Sequence, residues 1–202
     1  MPVIGVLSSK GGVGKSTILS ALAVVASKAG ALVRLVDADP QQSVATWWRL
    51  RKTENPALAD ANILKGKTAT KLGPDDWLFI DTPNAQLAQQ RNVIDMADVI
   101  VTVMKPGAFD LASIVETERI IREQRAQRKV IRVLNDYEPK QPFHNEVLGH
   151  LTGQHGERPF IVQHRAVYGA ATATGSSAVE SNRQARDEIT ALWEAIQLKV
   201  LQ

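Results

Sequence analysis

The sequence contains no cysteine among its 202 residues. Disulfide bonds, thiolate nucleophiles and metal clusters held by cysteine are therefore excluded. The chain also has no run approaching the roughly 20 apolar residues of a membrane-spanning helix. Its first ten residues lack the basic start and the long apolar run of a secretory signal peptide. We expect a cytoplasmic protein.

Charge and hydrophobicity are those of an ordinary globular domain. Apolar residues make up 44% of the chain and charged residues 22%, which provides enough apolar material for a substantial core. The net charge of +3 permits contact with nucleic acid and does not require it. Because no repeat, linker or low-complexity tract divides the chain, we expect residues 1–202 to form one domain.

Short continuous apolar runs alternate with segments of helical spacing, which predicts an α/β fold with a mostly parallel, twisted sheet and helices on both faces. The predicted strands are Val3–Ser8, Leu32–Val36, Leu78–Ile80, Val99–Met104, Val130–Leu134 and Phe160–Val162. The predicted helices are Ser16–Ala29, Gln41–Arg51, Leu111–Gln127 and Asp187–Leu201. Lys52–Asp76 and Tyr137–Pro159 are predicted to be irregular. Polar residues cluster just after strand ends, where open α/β sheets bind ligands.

The segment between the first strand and the first helix is rich in glycine and ends in Gly-Lys-Ser-Thr. Glycines let successive backbone N–H groups surround phosphate oxygens, and the helix N-terminus adds its positive dipole end. Lys15 can then reach the β- and γ-phosphates of a nucleotide, while the Ser16 hydroxyl can ligate Mg²⁺. The predicted phosphate-binding loop comprises Lys10, Gly11, Gly12, Val13, Gly14, Lys15, Ser16 and Thr17.

This loop departs from the usual phosphate-loop pattern in two places. Ser9 occupies the position of the usual first glycine, and Lys10 adds a second cation to a short loop. Two lysines this close would repel each other without a polyanion between them. A glycine-rich turn that binds nothing is therefore the weaker alternative.

Lys10–Thr17 resembles the deviant phosphate loop of the ParA/MinD superfamily of ATPases. The resemblance continues at Asp37–Gln41, after the second strand, and at Leu78–Pro83, where an apolar strand ends in Asp-Thr-Pro. Gln41–Trp47 and Arg165–Ala171 resemble the short, ParF-like partition ATPases in particular. The resemblance implies a P-loop NTPase fold, without the N-terminal helix-turn-helix extension of the larger partition ATPases.

The same resemblance implies a catalytic set of Lys10, Lys15 and Asp39. Lys15 serves the nucleotide of its own subunit, whereas Lys10 reaches across a dimer interface to the nucleotide of the partner. Asp39 orients the water that attacks the γ-phosphate. The implied cofactors are ATP and Mg²⁺.

For the metal, the resemblance implies that Asp81 holds Mg²⁺ through a water and that Asp37 supports the metal shell beside Ser16. It also implies that Asn135, at the end of a late strand, contacts adenine. Each of these residues has a plainer alternative, because Asp before proline and Asn at a strand end are common in turns and helix caps.

Basic and apolar side chains outside these motifs allow two readings. Arg119, Arg122 and Arg125 recur every third residue, which predicts one side of a helix that faces either solvent or DNA. The same segment continues with Arg128, Lys129 and Arg132. Further candidates for contact with DNA are Arg158, Arg165, Arg183 and Arg186. Of the adjacent Trp47 and Trp48, we expect one to pack into the core and the other to be partly exposed.

On one face of the last predicted helix lie Ile189, Leu192, Trp193, Ile196 and Val200. A membrane-binding amphipathic helix would be rich in Lys and Arg on its polar face. This helix instead carries Asp187, Glu188 and Glu194 there, so we expect it to dock on the core, with no stable membrane binding.

The resemblance thus implies an ATP-dependent dimerising switch that binds DNA non-specifically and segregates or positions cargo. It implies slow hydrolysis stimulated by a ParB-like centromere- or cargo-binding partner, and a nucleoid-associated location. A MinD-like membrane-surface ATPase is the first alternative. A metabolic ligase of the dethiobiotin or cobyrinate synthase type is the second. Electron transfer of the nitrogenase-reductase kind is excluded, because it requires cysteine.

Overall fold

In the computed structural model, residues 1–65, 72–84 and 86–202 are described. They form a seven-stranded, entirely parallel sheet in the order β3-β2-β4-β1-β5-β6-β7. The strands are β1 Val3–Leu7, β2 Leu32–Asp37, β3 Ala57–Leu58, β4 Asp76–Asp81, β5 Val99–Met104, β6 Val130–Tyr137 and β7 Phe160–Gln163. The predicted parallel α/β architecture is confirmed.

Helices cover both faces of this sheet. They are α1 Lys15–Lys28, α2 Ser43–Arg51, α3 Leu87–Met96, α4 Leu111–Glu123, α5 Pro142–His155, α6 Ala166–Thr172, α7 Ala178–Ser181 and α8 Arg183–Val200. Alternate residues of β1 enter different cores, because side chains of a strand point to opposite faces. Ile4 and Val6 pack with α1 and α8, whereas Val3 and Leu7 pack with α3 and α4.

Four of the described helices, α3, α5, α6 and α7, were not predicted from the sequence. Residues 87–96 had no assignment and form α3. The segment Tyr137–Pro159, predicted to be irregular, contains α5, which begins with Pro142 and ends at Gly156 in the left-handed conformation. Both end signals are present in the sequence. The apolar pattern between them is weak, because only Val147 and Leu151 are buried.

Several element boundaries differ from the prediction. The helix predicted to extend to Gln127 ends at Glu123, because Arg125 has a φ of +54° and a left-handed residue terminates a helix. Arg125 is therefore not on the helix face of Arg119 and Arg122, and that part of the prediction is wrong. Within Lys52–Asp76, predicted to be irregular, the structure contains β3 and a 3-10 turn at Ala61–Lys65; residues 66–71 lie outside the described part.

Candidate nucleotide site

The phosphate loop runs from the end of β1 into α1 with left-handed glycines at two positions. Gly12 has a φ of +75° and Gly14 a φ of +99°, values that residues with a Cβ rarely adopt. The Nδ2 of Asn135 donates a 2.8 Å hydrogen bond to the carbonyl of Val13. A Cβ at Gly14 would come within 2.3 Å of that nitrogen. Asn135 thus lies against the loop, and its contact with adenine stays a prediction.

Lys15 is buried at the start of α1, with 6% of its surface exposed. Its ammonium donates a hydrogen bond to Oδ1 of Asn84, which follows β4. Burial lowers the pKa of Lys15, while the carboxylates of Asp81 and Asp39 oppose that shift. A buried cation that lacks a direct carboxylate partner is stabilised by an incoming anion, so the geometry suits a phosphate.

Asp81 lies at the carboxyl end of β4 and is fully buried. Its Oδ2 accepts a 2.6 Å hydrogen bond from the Ser16 hydroxyl, and its Oδ1 has no hydrogen-bond partner among the described residues. Burial raises the pKa of Asp81 to about 7, although the Ser16 hydrogen bond and Lys15 oppose this shift. Such a carboxylate has a free oxygen to offer a cation.

The Ser16 hydroxyl and the free Oδ1 of Asp81 suit a Mg²⁺ site. Proteins commonly bind this ion through one or two carboxylates together with phosphate oxygens and waters. Within residues 1–65, 72–84 and 86–202, no group of three or more His, Cys, Asp or Glu side chains could hold a metal by itself. Ser16 and Asp81 would therefore hold Mg²⁺ only together with the nucleotide.

The two aspartates after β2 shape the turn into α2. Asp37 accepts backbone N–H bonds from Asp39 at 3.1 Å and from Ala45 at 2.9 Å, and Asp39 accepts one from Gln41 at 2.9 Å. Burial raises the pKa of Asp37, and these N–H groups oppose the shift. Both residues therefore perform turn and cap chemistry here. The metal role of Asp37 and the catalytic role of Asp39 stay predictions.

The first half of the loop contacts the beginning of α4 instead. Ser9 bonds to the Thr117 hydroxyl through its backbone N–H at 3.1 Å and through its own hydroxyl at 2.9 Å. The Lys10 ammonium lies 2.5 Å from Oδ1 of Asp110 and donates to the carbonyl of Phe109 at 3.3 Å. The serine that replaces the usual glycine is thus used as a tether to α4.

A buried glutamine on α3 connects the loop to the segment after β4. The side-chain amide of Gln90, which is 1% exposed, donates to the carbonyls of Ser8 at 3.3 Å, Pro83 at 2.8 Å and Asn84 at 2.9 Å. Gln90 precedes two apolar positions of the helix by three and four residues. This spacing places it on the buried face, and it was the signal available in the sequence. This residue was not predicted from the sequence, and neither were Asn84, Asp110 and Thr117.

A cleft of about 680 Å³ opens over the N-terminus of α1. The phosphate loop lines one side, and Asp39, Trp47, Leu50, Gly169 and Thr172 line the others. Its floor therefore combines the predicted phosphate-binding groups with the loop that carries Asp39.

The tryptophan pair follows the expectation. Trp47 is buried and donates its indole N–H to Ser176, whereas Trp48 is half-buried and donates to Pro56, each over 2.8 Å. Gly175, with a φ of +74°, packs so closely on α2 that a Cβ would lie 2.5 Å from the backbone nitrogen of Arg51. The aromatic side chains thus anchor α2.

Ion pairs divide the candidate DNA-binding arginines into two groups. Four of them have carboxylate partners: Arg119 pairs with Glu116 and Glu123, Arg132 with Glu118, Arg165 with Glu188, and Arg183 with Asp187. The exposed candidates without a carboxylate partner in the described part of the chain are Arg122, Arg125, Arg128, Arg158 and Arg186. The unpaired group is better suited to an external anion.

The helix α8 docks on the core, as expected. On its apolar face, Ile189, Leu192, Trp193 and Ile196 are each at most 2% exposed. Among the described helices, none has the length and apolar character required to cross a bilayer.

Comparison with known proteins finds a family and individual relatives with similar sequences. The model of the family described as CobQ/CobB/MinD/ParA nucleotide binding domain matches residues 4–167. The chain is 37% identical over 126 residues to Maintenance of carboxysome distribution protein A of Gloeobacter kilaueensis, covering 57% of this chain and 54% of that protein. It is 26% identical over 128 residues to Protein ParA of Rhizobium radiobacter, covering 61% and 58%. The matches thus span a little over half the length of these curated relatives.

A solved structure extends the comparison to the whole fold. A variant of McdA from Cyanothece, in complex with ATP, superposes with a TM-score of 0.76 at 17% identity, covering 98% of this chain and 96% of that one. At this identity the similarity concerns the fold alone, and it confirms the predicted P-loop NTPase fold.

Proposed function

This chain belongs to the CobQ/CobB/MinD/ParA nucleotide-binding family, and on that basis we propose that it is a dimerising ATPase switch of the ParA partition type. In its ATP-bound dimer it binds DNA non-specifically and segregates or positions a cargo. A ParB-like partner on the cargo stimulates its slow hydrolysis of ATP. The protein acts in the cytoplasm, in association with the nucleoid.

The observation that carries this proposal is the separation of the two loop lysines. The strands β4 and β5 flank β1 on opposite sides. The Lys15 ammonium lies at Asn84, after β4, whereas the Lys10 ammonium lies at Asp110, after β5. Lys15 is buried in the loop, and the Lys10 side chain is 39% exposed. The buried Lys15 suits a nucleotide bound by its own subunit. The exposed Lys10 suits a second nucleotide that lies outside that subunit.

The chemistry assigns distinct tasks to the residues around the cleft. Lys15 and the loop N–H groups bind the triphosphate, while Ser16 and Asp81 hold Mg²⁺ against it. Mg²⁺, when bound, neutralises charge that develops on the phosphates. Asp39, at the edge of the same cleft, orients the attacking water. Lys10 of the partner supplies the cation that compensates two closely apposed nucleotides.

DNA contact is assigned to the unpaired arginines Arg122, Arg125 and Arg128, because non-specific binding needs only cations that neutralise phosphates. Arg119 is already paired with two glutamates and offers less to an external anion. The buried apolar face of α8 leaves that face no role at a membrane surface, so the DNA-bound switch is preferred to the MinD-like alternative.

The test measures retention of a random-sequence DNA duplex by the protein in Mg·ATP and in Mg·ADP, across a series of salt concentrations. We expect retention in ATP alone, with a steep fall as salt rises. Arg128→Ala should lower the salt slope by about one unit for each subunit, and so by about two for the dimer. Arg119→Ala is the matched control. Equal retention in both nucleotides, or binding to anionic liposomes in place of DNA, would contradict the proposal.

A further inference from the structure

The head of α4 presents one polar face to the start of the phosphate loop. Ser113 donates its hydroxyl to the carbonyl of Asp110 at 2.7 Å, and Thr117 donates to the carbonyl of Ser113 at 2.8 Å. Side chains three and four residues apart share one side of a helix. Asp110 and Thr117 therefore face the loop together, and they hold the consecutive residues Lys10 and Ser9.

Asp110 is shaped to receive the Lys10 ammonium. The Asp110 side chain is only 13% exposed, and a Cβ at Gly107 would come within 2.3 Å of its Oδ2. The glycine therefore provides space for the carboxylate. Within the described residues, Lys10 is the one cation paired with Asp110, since the nearby Lys105 pairs with Asp136 at 2.9 Å.

A lysine held by its own subunit is not available to a second subunit. We infer that Asp110 is a positioning residue that holds Lys10 in its own subunit and competes with the partner's nucleotide for that ammonium. The inference rests on the proposed function, in which Lys10 completes the partner's site. Dimerisation in ATP then requires two Lys10–Asp110 pairs to open, one in each subunit.

This competition raises the concentration at which the ATP dimer forms. A partly exposed ion pair changes an equilibrium by roughly 1.4- to 5-fold. Because a symmetrical dimer opens two pairs, removing the Asp110 charge should lower the dimer dissociation constant by about two- to 25-fold. The isosteric Asp110→Asn keeps the shape of the side chain and removes its charge.

The experiment measures the dimer dissociation constant in Mg·ATP by sedimentation velocity, in an Asp39→Ala background that prevents turnover. We expect Asp110→Asn to tighten the dimer by the stated factor and to remain monomeric in Mg·ADP. Glu116→Gln makes the same charge change at a side chain of α4 that is 37% exposed, against 13% for Asp110; it is the matched control and should have no effect. In a Lys10→Ala background, where no ATP dimer is expected, Asp110→Asn should not restore one.

Each outcome has one interpretation. If the parent dimerises with ATP and Lys10→Ala does not, but Asp110→Asn leaves the constant unchanged or weakens the dimer, the competition is refuted and the proposed function stands. If Asp110→Asn produces an ATP dimer when Lys10 is absent, Asp110 does not act through Lys10 and the inference is wrong. If the parent stays monomeric in ATP, the proposed function fails, and the competition fails with it. The unfolding midpoint of each nucleotide-free variant checks that it is folded.

Discussion

Replacing Asp81 by asparagine tests whether a buried carboxylate is kept for metal binding at the expense of stability. Its pKa is about 7 in the folded protein because of burial, against about 3.9 for an exposed aspartate. Between these values the folded protein keeps a proton that the unfolded chain has lost. The free energy of unfolding of the wild type therefore falls as pH rises, by about 1.4 kcal/mol per pH unit.

Asparagine does not titrate, so the variant lacks this contribution. From pH 5 to pH 7 its stability should increase relative to the wild type by roughly 2–3 kcal/mol. The new amide N–H groups, placed where Oδ1 of Asp81 has no partner among the described residues, cost about 1–3 kcal/mol at every pH. That cost changes the difference in free energy of unfolding between variant and wild type by the same amount at every pH. The change of this difference with pH is therefore the informative quantity.

Urea unfolding at pH 5, 6 and 7, without nucleotide and with a chelator present, measures this slope. The range stops at pH 7 because, above the pKa of Asp81 in the folded protein, both states have lost the proton and the stability difference no longer changes with pH. A stability difference that stays constant across the three pH values would refute the reasoning. The same variant should bind ATP without a response to added Mg²⁺.

Four further predictions concern the loop and its supports. Lys15→Ala should weaken ATP binding at least tenfold, because a charge-assisted hydrogen bond contributes about 1.5–3 kcal/mol; titration with a fluorescent ATP analogue measures this, and wild-type affinity would contradict the site. Gly14→Ala should cost roughly 1–3 kcal/mol of stability through its left-handed backbone and displace Asn135, so an unchanged melting temperature would refute that geometry. Gln90→Leu should lower the melting temperature by several degrees, since it leaves three buried carbonyls without their donor, and should weaken ATP binding; thermal unfolding with and without ATP tests both. Asp39→Ala should retain ATP and hydrolyse it slowly, and unchanged phosphate release with DNA and partner present would remove Asp39 from the mechanism.

Local sequence was sufficient to locate the phosphate loop and most of the sheet. Continuous apolar runs such as Val99–Met104 predict buried parallel strands, because both faces of the sheet are covered. The glycines around Lys15 are tied to φ values that other residues rarely adopt. The helix α5 was not predicted, because a helix with few buried side chains has little apolar periodicity.

The contacts that distinguish the two lysines depended on the order of the strands. The presence of two cations in one glycine-rich loop follows from the sequence alone, because composition and spacing are local properties. Their partners follow from the tertiary structure: the Lys10 ammonium meets the carbonyl of Phe109, 99 residues away, and the Lys15 ammonium meets the side chain of Asn84, 69 residues away. Such pairs form because β4 and β5 both lie beside β1, and pairing between strands that are distant in the chain follows from packing of the whole sheet.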